Sequence, residues 1–276
     1  MVGGVGRMGM ILQRWLTALV LGALLLSSVV FLNALAFEVL VSLLTGAAFW
    51  EWLRLTSHRT SRTVCIGGAV VLASLVLYSV QEPILGLAIL GSAIFWWLCV
   101  FIVMLTPRGH RDSNVFPTSV LPGFLIVLAG GVAICWLQQQ GPGNGLRLIE
   151  FFVLVWAVDC GSFFAGRRWG RHKLAPALSP GKTIQGALGG AVSLLVVSGS
   201  IYLLDDSLAE TMLLTWLSVT VAVYLMCVVG DLYESAAKRN ANVKDSGTLL
   251  PGHGGILDRV DSVIAASPIY YVLLFW

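Results

Sequence analysis

Charge is what this chain has least of. Only 11% of its 276 residues are Asp, Glu, Lys or Arg, whereas 57% are apolar. A water-soluble domain carries about 25% charged and roughly 45–50% apolar residues. The chain therefore cannot cover a water-facing surface with polar groups, which excludes an ordinary soluble enzyme and a disordered chain. Cysteine is sparse as well. Cys65, Cys99, Cys135, Cys160 and Cys227 lie singly in apolar runs with no CxxC pair, so neither a disulfide frame nor a zinc site is indicated. The 30 glycines and nine prolines follow no fixed period, which excludes collagen. The net charge of +3 is small; it reads as a membrane-orientation bias, with no nucleic-acid partner. No internal repeat is evident, and no stretch is rich enough in Pro, Gly or Ser to act as a linker.

What the chain does have is long apolar runs. A spanning helix needs about 20 such residues. Nine stretches come close, at 15–35, 37–55, 63–80, 84–106, 117–137, 148–166, 185–204, 209–229 and 256–276. The first follows Arg7 and Arg14 but lacks a clear small-x-small cleavage site, so it is expected to be a retained helix rather than a signal peptide. With the N-terminus on the cytoplasmic side, alternate loops place all but Arg147 of the 17 Lys and Arg residues on that side. This supports an all-α, polytopic membrane protein of about nine helices, N-in and C-out. Residues 1–147 read as a transmembrane scaffold of about five helices. Residues 148–276 read as the catalytic part of the same continuous membrane domain, with two polar cytoplasmic loops at about 166–184 and 230–255.

The densest polar cluster spans Gly230 to Asp261. It holds the carboxylates Asp231, Glu234, Asp245, Asp258 and Asp261, the cations Lys238, Arg239, Lys244 and Arg259, and His253. Asp231 and Glu234 are three apart, so on a helix they share a face, with Lys238 a turn further on. Asp258 and Asp261 repeat the spacing at the start of the last helix. Carboxylates alone would suggest a cation pathway and cations alone an anion site; both together suggest a metal–phosphate site. Mg²⁺ takes one or two carboxylates plus substrate phosphates, and Lys and Arg neutralise the remaining phosphate oxygens. In the G-H-G-G turn, main-chain N–H groups can approach phosphate closely. His253 there can donate to a phosphate or protonate a leaving group, or simply serve the turn.

A second cluster begins at Asp159, an acid inside an apolar span, where insertion costs about 2.5–3.5 kcal/mol. It requires a partner, a metal or water; a bond to another helix would suffice. The run S-P-G-K-T, Ser179 to Thr183, is not a P-loop, because Pro176 stands where the spacing needs glycine. Gly181, Lys182 and Thr183 nevertheless lead into a helix start, where N–H groups and a lysine can hold phosphate. Other polar residues read as bland. Glu51, within F-W-E-W-L-R, reads as interfacial anchoring, Glu38 and Glu150 as solvated near the outer face, and Trp96–Trp97 as packing or lipid contact. His58, His110 and His172 lie in basic loops that would meet anionic headgroups.

The stretch S-A-A-K-R-N-A-N-V-K-D-S-G-T-L-L-P-G-H-G-G-I-L-D-R-V-D, from Ser235 to Asp261, closely resembles the signature of the phosphatidate cytidylyltransferase (CDP-diacylglycerol synthase) family. The likeness extends through G-D-L-Y-E-S, the D-x-G-x-x-x-G-R element at Asp159 and K-L-A-P-x-x-S-P-G-K-T at Lys173 to Thr183. It covers roughly the last 120 residues; the first half resembles the family mainly in hydropathy and in W-E-W. Two positions depart from the commoner pattern: D-C-G-S-F stands where D-T-G-A-Y or D-S-G-A-Y is usual, and Gln185 where Glu is frequent.

The resemblance implies a multi-pass enzyme of the bacterial-type cytoplasmic membrane that converts CTP and phosphatidic acid to CDP-diacylglycerol and pyrophosphate. It implies a need for Mg²⁺, with a second metal ion as an open question, and it makes a homodimer a possibility to test. On that reading Asp231, Asp258, Lys238 and His253 are the catalytic candidates. Asp231 and Asp258 ligate metal, with Asp261 or Glu234 completing the site and Asp159 a further candidate. Lys238, Arg239, Lys244 and Arg259 hold triphosphate or phosphatidate oxygens, and Ser179, Lys182 and Thr183 form a second phosphate contact. Two other readings compete. A CTP-dependent lipid kinase or a cytidylyltransferase for another lipid would use similar parts. A secondary transporter would use Asp159 and the helix-end carboxylates as an ion path, but the crowded cations and the Gly-rich loop argue against it.

Overall fold

The computed structural model describes residues 20, 22–56, 61–109, 111–140, 145–208, 211–249 and 254–276. Among the described residues nine α-helices follow one another: α1 (Gly22–Phe31), α2 (Ala34–Thr56), α3 (Arg62–Gln81), α4 (Pro83–Met104), α5 (Val120–Gln139), α6 (Leu146–Trp169), α7 (Ile184–Leu204), α8 (Leu213–Asn240) and α9 (Leu257–Phe275). Seven of them, α2 to α8, are long and apolar enough to cross a membrane. Helix α1 is a shorter apolar helix, and α9 carries Asp258, Arg259 and Asp261 in its first turns. A two-stranded antiparallel hairpin, β1 (Lys173–Ala175) and β2 (Ser179–Thr183), interrupts the all-α pattern between α6 and α7. S-P-G-K-T is thus the second strand of that hairpin.

Local chemistry sets several boundaries. The Ser61 hydroxyl accepts from Val64 N at the start of α3, and Pro83 opens α4, where a missing N–H costs nothing. Thr183 caps α7 by accepting from Gly186 N at 3.1 Å. Gly145 adopts φ +75° before α6, and a Cβ there would lie 2.2 Å from Val29 of α1, so both the conformation and the contact require glycine.

Contacts at the helix ends fix the alternation. At one end Trp52 Nε1 donates to Ser119 O (2.9 Å), Asn240 Nδ2 to Thr118 (3.0 Å), and Leu257 N to Glu51 (2.9 Å). These bonds gather the C-termini of α2 and α8, the N-terminus of α9 and the loop before α5. At the other end Gln81 and Gln139 donate to Glu38, and Arg147 pairs with Asp205. Helices α2 to α9 therefore run in alternating directions through the bundle.

Helix α5 is the hub, buried on nearly all sides. Its Gly130 lies against Ile264 of α9 and its Gly131 against Thr45 of α2 and Val76 of α3. Lipid tails are as apolar as leucine, so close approach of small residues, rather than expulsion from water, holds such helices together. The α6–α7 pair uses the same device: a Cβ on Gly189 would lie 2.1 Å from Ala165, and one on Gly161 2.5 Å from Ser193.

Three expectations are corrected here. Helix α8 runs to Asn240 instead of ending near residue 229, so Asp231, Glu234, Lys238 and Arg239 sit on a helix and not in a loop. Its polar last turns persist because they are packed inside the bundle all round from Leu232 to Ala237. Glu38 and Glu150 are not solvated. Both are buried, Glu38 between Gln81 and Gln139, Glu150 against Arg147 at 2.6 Å. Glu51 is also buried, at 1% exposure, and does not sit at an interface with lipid headgroups.

Candidate active site

A cavity of about 460 Å³ opens at the basic end of the bundle. Helix α6 contributes Asp159 and Ser162 to its wall, the hairpin Gly181, Lys182 and Thr183, and α8 Cys227 and Asp231. Two tight helix contacts bring these walls together. On one side the glycine-mediated α6–α7 packing sets the hairpin over Asp159. On the other, Gly230 of α8 meets α9 so closely that a Cβ would lie 2.6 Å from Ala265 and 2.8 Å from the Asp261 carbonyl. That contact sets Asp231 and Asp261 on neighbouring turns of two helices.

The first charge cluster lies at the cavity. Lys182 Nζ forms an ion pair with Asp231, and the side chains remain about a third exposed. Asp159 experiences the charges of Asp231, Lys182 and Arg259, and Asp261 those of Asp231, Lys182 and Asp159. Three carboxylates thus share one field, with Lys182 the cation they hold in common. The Asp261 Oδ1 also accepts from Ser262 N at 2.7 Å.

The second cluster adjoins the first. Lys238 bridges Glu234, one turn earlier on α8, and Asp258 of α9, the latter at 2.8 Å. The other Asp258 oxygen accepts from Ser246 N (2.9 Å) and Gly255 N (2.8 Å). Asp258 therefore organises the segment between α8 and α9 as well as neutralising Lys238. The i, i+3 pairs do not act as units: Asp231 turns to the hairpin lysine, whereas Glu234 turns to Lys238 and Asp258.

The remaining sequence candidates surround these clusters. Arg239 is exposed and donates through Nε to Leu178 O at 3.2 Å and through Nη1 to Val243 O, tying the hairpin to the α8–α9 connection. Lys244 is exposed on that connection, and Arg259 is exposed on the first turn of α9. Ser179 opens β2, half-buried and paired with Ala175. Thr183 lines the cavity while its hydroxyl oxygen caps α7. His253 lies outside the described residues, as do Arg7, Arg14, His58, Arg59 and His110.

No three His, Cys, Asp or Glu side chains converge into a closed metal cage among the described residues. Mg²⁺ does not require one: it keeps waters and takes a few carboxylates plus phosphates. Asp159 and Asp231, which line the cavity, supply hard oxygen donors of that kind, with Asp261 close enough to feel their charge.

Sequence reasoning missed three contributors. Glu51 accepts from Ser246 Oγ (3.0 Å) and Leu257 N (2.9 Å), joining α2 to the site. Tyr233, buried on α8, donates to Pro117 O at 2.9 Å and stacks on Trp52 at 5.7 Å, with Trp96, Trp97 and Phe116 around it. Gln185 accepts from the backbone N–H groups of Arg171 and His172, at 3.0 and 3.1 Å, and holds the base of the hairpin. One signal was available for Glu51, since a carboxylate in an apolar run demands a partner.

The family model described as the cytidylyltransferase family matches residues 12–276. The chain is 35% identical over 268 residues to the phosphatidate cytidylyltransferase of Pseudomonas aeruginosa, covering 96% of this chain and 97% of that protein. It is 34% identical to the Haemophilus influenzae phosphatidate cytidylyltransferase, over 97% and 99% of the two chains. The Bacillus subtilis protein of that name is 32% identical, over 95% and 97%.

Proposed function

The chain belongs to the cytidylyltransferase family, and from that premise we propose that it transfers the cytidylyl group of CTP to phosphatidate, releasing pyrophosphate and forming CDP-diacylglycerol. A phosphate oxygen of phosphatidate attacks the α-phosphorus of CTP. The bond from that phosphorus to the bridging oxygen of the β-phosphate breaks, and pyrophosphate leaves with the electron pair. The nucleophile is already ionised, so no strong general base is needed. The barrier is the approach of two polyanions and the charge that develops on the leaving group, which positioning and electrostatics lower.

The observation that carries this reading is the meeting of Lys182, from the hairpin, with Asp231 and Asp159, from two spanning helices, at one cavity. Asp231 is the first metal candidate, with Asp261 and Asp159 beside it; Asp258 and Glu234 support the set through Lys238. When bound, Mg²⁺ supplies positive charge to the attacking and leaving oxygens. Lys182 then exchanges its carboxylate partner for a phosphate oxygen. Arg239, Lys244 and Arg259, exposed at the rim, attract CTP from water, while Ser179 and Thr183 line its approach. His253 remains a candidate donor to the leaving pyrophosphate. The uneven distribution of Lys and Arg orients this end toward the cytoplasm, and the membrane is the cytoplasmic membrane of a bacterial-type cell. Phosphatidate then stays in the leaflet while CTP arrives from solution.

The test is purified protein in detergent with CTP, Mg²⁺ and phosphatidic acid. CTP-dependent pyrophosphate release with a CDP-lipid product is expected. Phosphorylation of the lipid with release of CDP would replace this reading with a kinase.

A further inference from the structure

The geometry points to Glu51, on α2, as a positioning residue that holds the acidic end of α9 in register with α8 from outside both helices. This rests on the enzymatic reading above for its kinetic consequence, though not for its structural one. Helix α9 begins without a side-chain cap of its own: Ile256, the residue before it, supplies none. Four N–H groups at a helix start lack internal partners, and an anion there also interacts favourably with the helix dipole. The Glu51 Oε2 fills that role from a distant helix, accepting Leu257 N at 2.9 Å. The same oxygen accepts from Ser246 Oγ at 3.0 Å. Ser246 is also the residue whose N–H holds Asp258, and Asp258 in turn holds Lys238. A continuous chain of bonds therefore runs from α2 through Ser246 to the Asp258–Lys238 pair.

Space around the carboxylate is built to match. A Cβ on Gly247 would lie 2.3 Å from Glu51 Oε1, and one on Gly255 2.3 Å from Oε2 and 2.0 Å from Ser246 Oγ. The two glycines admit the carboxylate where any side chain would exclude it. Oε1 is buried without a hydrogen-bond partner among the described residues, so the interactions shown concentrate on the oxygen that faces Ser246 and α9. Burying a carboxylate is costly unless it is bonded; bonding the two segments that flank Asp258 gives that burial a function.

Glu38 provides an internal control. It lies on the same helix, is equally buried, and is held by Gln81 and Gln139 at the opposite end of the bundle. The experiment compares Glu51→Ala, Glu51→Gln, Ser246→Ala and Glu38→Ala in the full-length protein in detergent. It reads kcat, the Mg²⁺ concentration giving half-maximal rate, the thermal midpoint, and hydrogen exchange across residues 244–249 and 254–258. Glu51→Ala is expected to lower kcat by about 10–100-fold, the loss of one or two charge-assisted hydrogen bonds, to raise the Mg²⁺ requirement, and to speed exchange in both stretches. Glu51→Gln keeps an acceptor oxygen and is expected to recover most of kcat. Glu38→Ala is expected to lower the thermal midpoint alone. The inference is overturned if Glu51→Ala resembles Glu38→Ala, or if exchange near Asp258 is unchanged. Should Glu51→Ala not fold, Ser246→Ala decides: unchanged kcat, Mg²⁺ requirement and exchange would overturn it equally. If the wild type turns over no CTP, the enzymatic reading fails, while the exchange measurement still judges Glu51 by itself.

Discussion

The two ends of this bundle both bury charge, and they do so for different ends. Opposite the cavity, Arg147 pairs with Glu150 at 2.6 Å and with Asp205 at 2.8 Å, with the Arg147 and Glu150 side chains only 5% and 8% exposed. At the cavity, Lys182 and Asp231 remain 27% and 33% exposed, and Asp159 and Asp261 add further negative charge in the same field. The first arrangement locks the start of α6 to the end of α7, away from water. The second keeps paired charges within reach of a ligand and leaves the acids in excess. A buried ion pair is weak evidence even of net stabilisation; exposure to a cavity and the number of acids around one lysine separate the two cases.

The sharpest way to break the comparison is to neutralise one acid at the cavity. Asp231→Asn preserves shape and removes the carboxylate that Lys182 faces. Turnover should fall by at least about 10²–10³-fold, the scale of losing one preorganised electrostatic contact at a reacting phosphate. Insertion and the thermal midpoint should change little, because the group is partly hydrated. Size exclusion and a thermal melt in detergent, beside the pyrophosphate assay, check this; near-normal turnover would remove Asp231 from the metal set.

Lys182→Met should have the next largest effect. A hydrogen bond to a charged group contributes about 1.5–3 kcal/mol, so kcat/KM for CTP should fall by about 10–100-fold. The same substitution frees Asp231, so binding of Mn²⁺ alone, followed by electron paramagnetic resonance, should tighten. Loss of nucleotide affinity with a gain in metal affinity distinguishes a shared counter-ion from a residue that merely holds the hairpin in place.

Arg147→Met inverts this pattern. Removing the cation leaves Glu150 and Asp205 without it in a buried site, a change of about 3–5 kcal/mol. The thermal midpoint should fall by several degrees, while kcat of the surviving protein stays within about twofold of wild type. A loss of kcat comparable to that of Lys182→Met would show that the far end is coupled to the site.

This division was partly legible in the sequence. The apolar runs were sufficient to locate helices α2 to α9, though not the end of α8, because span length is a local property. The motif residues were found for the same reason, as dense polar stretches in an apolar chain. What stayed hidden was pairing across long sequence separations. Glu38 meets Gln139, and Glu51 meets Ser246 and Leu257; no window of sequence contains both partners. The end of α8 was obscured because Asp231 to Arg239 reads as loop by hydropathy, although Leu232 to Ala237 are enclosed by the bundle and Asn240 is bonded to the segment before α5. Helical spacing alone put Asp231 with Glu234, whereas packing sent them to different cations.

Gln185→Glu should have the smallest effect and probes the hairpin itself. The Gln185 Oε1 accepts from Arg171 N and His172 N, and its Nε2 lies 2.9 Å from His172 Nδ1. A carboxylate keeps both backbone bonds and strengthens them, since hydrogen bonds to ionised acceptors are the stronger ones. The second oxygen loses its donor, so the contact with His172 survives when the imidazole carries a proton on Nδ1. The thermal midpoint of the variant, read by a melt in detergent, should stay within a few degrees of wild type, and turnover at neutral pH within about threefold. A clear fall in the midpoint would mean that the lost amide donor outweighs the two strengthened backbone bonds. A large loss of turnover would mean that the hairpin does more than present Lys182, and that the polar chemistry of its base reaches the cavity directly.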